Sequence, residues 1–264
     1  IAHQGALCYL GQSREHQSAD YKRKLTTEIN SKLELVNVLI EQMKKEATPN
    51  KTKEKIIGCL SKICINEVDP SMLDLITNEL FSLNTNKAEE IQFTIGEAFS
   101  CIAGGDLYCS LYRADEYQHV FTRELTPQEK ELQEKLRDQY TTAILMKIVR
   151  NGVLNPKKII RQSSSIWLLT FCKYCAECPY FMKYLKDIQK AYSVLLTDNN
   201  EVTNEVAGRG LAYVYELGDK TTQKELVDSL MNSLSGKKNN KDIKLNEETE
   251  LLLFPEEARG GMDK

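Results

Sequence analysis

Proline and glycine are scarce, at 6 and 13 of 264 residues, and no long run alternates polar with apolar residues. Sandwiches and barrels need frequent turn residues between period-2 strands, so an all-β fold is excluded. Histidine occurs only as His3, His16 and His119, none beside a Ser or Cys in a recognisable nucleophile motif. That leaves histidine-dependent catalysis few options. No run approaches the roughly 18 apolar residues that cross a bilayer. Neither sign of charge dominates: 35 Lys and Arg face 38 Asp and Glu, a net −3. Such a balance carries no nucleic-acid footprint. Gly104-Gly105-Asp106 lacks the Gly-Lys-Ser/Thr ending of a phosphate loop and reads instead as the end of a helix. Eight cysteines fall short of a disulfide scaffold. Cys59, Cys64, Cys101 and Cys172 sit on apolar helical faces, as small buried hydrophobes do. Reduced thiols point to the cytosol or nucleus. The opening IAHQGALCYLGQ has neither an initiator Met nor a basic stretch before its apolar residues, so it reads as the tail of a helix in an internal piece rather than a signal peptide.

What the chain does have is helical periodicity. Apolar stripes run through Leu25, Ile29, Leu33, Val36, Ile40 and Met43, then Ile56, Leu60 and Ile63, then Leu73, Ile76, Leu80 and Leu83. They continue at Ile91, Ile95, Ala98 and Ile102, and at Leu132, Leu136, Tyr140, Ile144 and Ile148. Residues 155–218 read as three amphipathic helices joined by short Asn-rich turns, the second one continuous from Pro179 through Leu196. None of these helices buries its apolar face alone, so the pattern predicts stacked helical hairpins, an α-solenoid.

Turn residues or N-caps are expected at Asn50, Asn86, Asn155 and Asn199, spaced 36, 69 and 44 apart. The long interval holds a Tyr- and charge-rich insert, Gly104 to Thr126, without a helical stripe. Without those 23 residues the spacings are 36, 46 and 44, close to the roughly 40–47 of HEAT or armadillo repeats. The expected organisation is helical repeats over 1–103, a loop over 104–126, repeats over 127–235, and a polar loop and tail over 236–264. Small residues cluster at Ser163–Ser165 and at Ala207, Gly208 and Gly210, where they admit close approach by a paired outer helix. Buried serines there would bond back to the helix carbonyl four residues earlier.

Few residues invite a chemical role. Cys172, Cys175 and Cys178, with Pro179 after the last, have part of an iron–sulfur spacing, but a fourth local ligand is missing and no His lies nearby in sequence. Packed thiols are the simpler reading. Arg161 stands where an inner helix can pair with an Asp of a neighbouring repeat, and a structural ion pair is favoured over a ligand role. Glu89-Glu90 and Glu247-Glu248 read as helix starts or solvated loops. Lys237, Lys238, Lys241 and Lys244 form a weak import-type patch or, more simply, a solvated loop. The set of candidate catalytic, cofactor-binding and metal residues is therefore empty.

The segments IRQSSSIWLLTFC, LKDIQKAYSVLLTDNNEV and GLAYVYELGDKTTQKELVDSL resemble the HEAT-repeat proteasome adaptor and scaffold family. EEIQFTIGEAFSCIA is similar to another segment of that family, in the expected order, so the likeness covers Glu89 to about Leu234. Three serines stand where the family is expected to carry alanines, and the insert has no family motif. The resemblance implies a non-enzymatic scaffold of cytoplasm and nucleus that holds proteasome core and regulatory particles together. It implies no cofactor, small-molecule substrate, nucleic acid or membrane insertion, and it marks no contact residue in this chain. From the residues alone, a HEAT or armadillo scaffold of nuclear transport or phosphatase assembly stays open. So does a helical cysteine-rich metalloprotein or enzyme.

Overall fold

A computed structural model describes residues 31–65, 67–105, 126–176 and 178–234. Among the described residues there are ten α-helices and no strand. The fold is an all-α HEAT-like repeat built of helical hairpins. Leu25 and Ile29, nearly all of the insert, and the 236–264 tail lie outside the described residues. The chain divides into two compact units, residues 1–141 and 142–264.

In the first unit, α1 (Lys32–Lys44) and α2 (Asn50–Cys64) form one hairpin, and α3 (Pro70–Ser82) and α4 (Glu89–Gly104) the next. A capping box starts α1: the Ser31 hydroxyl accepts from the Glu34 N–H at 3.1 Å, and the Glu34 carboxylate accepts from the Ser31 N–H at 3.2 Å. Asp69 caps α3 through the Ser71 N–H, with Pro70 at the first helical position. The inner helices α2 and α4 pack along each other and the outer helices α1 and α3 do likewise. Cys101 Sγ donates to the Ser61 carbonyl across the inner pair at 3.5 Å, and Lys44 meets Glu79 across the outer pair at 2.8 Å. Within the second hairpin, Phe81 and Phe99 stack with ring centroids 4.4 Å apart.

The long helix α5 (Pro127–Lys147) carries a six-residue π-helical turn, Ile148–Val153, at its end. In the second unit this turn pairs with α6 (Lys158–Tyr174). Next come α7 (Pro179–Met182) with α8 (Leu185–Leu195) on the outside, α9 (Glu201–Leu217) on the inside, and α10 (Lys220–Leu234). The inner helices α6 and α9 bury Ile166, Leu169 and Val206 between them, flanked by Val202 and Tyr213. Small residues let the π-helical turn approach α6 and α8 approach α9. A Cβ at Gly152 would lie 1.9 Å from the Ser164 hydroxyl, and one at Gly210 would lie 2.1 Å from the Tyr192 ring. Ser163 bonds back to the Ile159 carbonyl four residues earlier, Ser165 to the Gln162 carbonyl three earlier, and Ser164 packs on Gly152 without a hydrogen-bond partner.

Three expectations from periodicity are corrected. Leu33 and Leu132 are 49% and 43% exposed. In α5 a strict four-residue spacing drifts about 40° per step around a helix of 3.6 residues per turn, so Leu132 at its start leaves the buried face. In α1 the buried face is made by Leu35, Val36, Leu39, Ile40 and Met43, and Leu33 falls at its edge. Leu35 and Leu39 take over in α1, and Gln133 enters the buried face of α5. The helix starting at Pro179 is broken into α7 and α8 at Tyr184, whose N–H returns to Phe181 three residues back. That tight turn lets Phe181, Tyr184 and Leu185 all be buried, and the Tyr184 hydroxyl meets Thr142 Oγ1 at 2.8 Å. Finally, Gly208 admits no close neighbour: nothing lies within 4 Å of a Cβ built there.

The two glycines of α9 therefore predict opposite outcomes in denaturant unfolding. Gly208→Ala gains helix propensity with no clash and stabilises by about 0.5–1 kcal/mol. Gly210→Ala drives a methyl into the buried Tyr192 ring and destabilises by about 1–3 kcal/mol.

Candidate functional site

The polar residues that the fold brings together lie in the turns preceding the inner helices. These turns are tight: six residues separate α3 from α4, four separate the π-helical turn from α6, and five separate α8 from α9. A chain reversing so quickly exposes carbonyls that need donors. The same two devices supply them each time. Two residues before the cap, a side-chain oxygen accepts from the cap N–H: Asn86 from Ala88 at 2.9 Å, Asn155 from Lys157 at 3.0 Å, and Asp198 from Asn200 at 2.9 Å. Four residues after the cap, a side-chain N–H reaches back to the turn. Gln92 donates to the Leu83 and Asn86 carbonyls at 3.0 and 2.8 Å. Arg161 donates to those of Asn155 and Pro156 at 2.8 and 3.0 Å, and Asn204 donates to that of Leu196. The turn before α2 has Ala47 and Lys53 at these places and Pro49 as its cap.

Arg161 does more than lock its own turn. Its Nε and Nη2 reach Asp198 Oδ2 and Oδ1 at 2.5 and 3.3 Å, tying one inner turn to the next. Beside this pair, Asn200 donates to Gln162 Oε1 at 3.0 Å and caps α9 through the Thr203 N–H. The Asp198 side chain is only 4% exposed. Burial pushes its carboxyl up, but the bonds from Arg161 and from the Asn200 N–H outweigh that and hold it below the usual carboxylate range. Arg161 shifts further up through the same hydrogen bond. Asp198, rather than Asn199, is the residue that completes the turn.

In the first unit, α5 supplies donors to helix C-termini. Gln133 and Arg137, one turn apart, both donate to the Ile65 carbonyl at the end of α2, at 2.9 and 3.3 Å. Arg137 also bonds the Gly104 carbonyl at the end of α4. A cation there complements the negative end of the helix dipole. Gly105 follows at φ 52°, and its missing side chain leaves room for the Arg137 guanidinium. The buried Tyr140 ring anchors the same helix, its hydroxyl bonding Asp74 at 2.7 Å and the Pro70 carbonyl at 3.0 Å. Burial first, and then the Asp74 carboxylate, raise its pKa.

The sequence candidates fall as follows. Cys172, Cys175 and Cys178 are all buried. Cys172 lies within α6 with Sγ 3.6 Å from the Tyr192 hydroxyl, Cys175 caps the end of α6, and Cys178 caps the start of α7. Burial pushes the Cys172 thiol up to about 12 and the Cys59 thiol up to about 11, which opposes the thiolate a nucleophile or metal ligand requires. Among the described residues no group of three or more His, Cys, Asp or Glu is arranged to hold a metal ion. Glu89 and Glu90 sit exposed in the first turn of α4. His3, His16, His119, Asp106, the four tail lysines and Glu247-Glu248 lie outside the described residues. Sequence reading also missed an apolar groove between α9 and α10, where Tyr215 and Val227 are 44% and 45% exposed.

Helical hairpins with locked inner turns define an α-helical repeat fold. No protein-family model matches the chain. It is 32% identical over 204 residues, 77% of its length, to the human proteasome adapter and scaffold protein ECM29. It is 24% identical over 223 residues, 84% of its length, to the proteasome component ecm29 of Schizosaccharomyces pombe. To the proteasome component ECM29 of Saccharomyces cerevisiae it is 27% identical over 176 residues, 66% of its length. The chain belongs to the ECM29 family. It spans 9–12% of the length of these curated relatives.

The ion pair predicts a stability change that depends on pH. Arg161→Ala leaves a nearly buried carboxylate and two turn carbonyls without their donor, at a cost of about 2–3 kcal/mol at pH 7. Because the Asp198 pKa is lowered on folding, its contribution is fully present above the unfolded value near 3.9 and is lost as pH falls below it. Urea unfolding between pH 7 and pH 2.5 checks this: the penalty shrinks on acidification as Asp198 protonates.

Proposed function

We propose that this chain is a repeat segment of a non-enzymatic scaffold that binds the proteasome and stabilises the association of its core and regulatory particles. Membership of a family whose human relative is named a proteasome adapter and scaffold protein carries the reading. The physical design supports it: stacked hairpins present extended surfaces, and locked turns keep successive inner helices in register. Several weak contacts along such a stack raise the effective concentration of each particle for the other, so bridging needs no single strong site. The proposed partners are proteins of the two particles, in cytoplasm and nucleus, without small-molecule substrate, cofactor or nucleic acid. No described helix is long and apolar enough to cross a membrane.

The test is affinity purification of the intact protein from its own cells, with ATP present, followed by quantitative mass spectrometry. Core and regulatory subunits are expected in near-equal amounts, and weakening the stack with Arg161→Ala lowers their recovery. Reproducible recovery of transport factors or phosphatase subunits in their place, with proteasome subunits at background, would overturn the proposal.

A further inference from the structure

We draw no further inference here: the strongest candidate, the apolar groove between α9 and α10 lined by Leu211, Tyr215, Val227 and Leu230, carries none, because nothing in the structure shows what covers it.

Discussion

A helical hairpin that reverses within four to six residues leaves its turn carbonyls pointing away from any helix, and the rest of this stack depends on how they are satisfied. Three turns use one solution. An Asx-type oxygen holds the cap N–H, and a side-chain donor one helical turn into the inner helix reaches back to the carbonyls. Gln92, Arg161 and Asn204 differ in chemistry yet occupy the same place. Arg161 adds a link that the amides do not make, because its guanidinium has donors enough to hold its own turn and Asp198 of the next at once. Register between α6 and α9 is then set at their N-termini by polar contacts and along their lengths by Ile166, Leu169 and Val206.

Close packing follows from that alignment. With the starts of the inner helices fixed, Gly152 comes against Ser164 and Gly210 against the Tyr192 ring, positions where one added methyl would collide. The cysteines belong to the same economy of volume. Cys101 reaches across α2–α4 and Cys172 lies against Tyr192, both as buried small groups, and burial raises the Cys172 thiol pKa. These side chains hold the packed helices in place.

The all-α class and most helix positions were legible from periodicity, because amphipathic helices announce themselves every three to four residues. The family was legible from the wording of α4, α6, α8 and α9. The pairing of Arg161 with an aspartate was legible too, although Asp198 itself was not singled out. Three things were not. Leu132 was misplaced because a four-residue spacing looks continuous in sequence while its face rotates, and Leu33 because it falls at the edge of the buried face of α1. The break at Tyr184 has no proline or glycine to mark it and arises from three large residues turning inward together. Gln92, Gln133 and Arg137 look like ordinary solvated polar residues, since the pattern does not show that Gln92 folds back on its own turn or that the ends of α2 and α4 lie beside Gln133 and Arg137.

The central claim is that Arg161 and Asp198 act as one unit joining successive inner turns. A double-mutant cycle measures this most directly, with Arg161→Ala, Asp198→Ala and the double variant compared by urea unfolding at pH 7. A coupling energy of about 2 kcal/mol is predicted, within the range for residues sharing a hydrogen-bonded network. Additivity to within about 0.5 kcal/mol would contradict the account and reduce the contact to a surface ion pair without structural consequence.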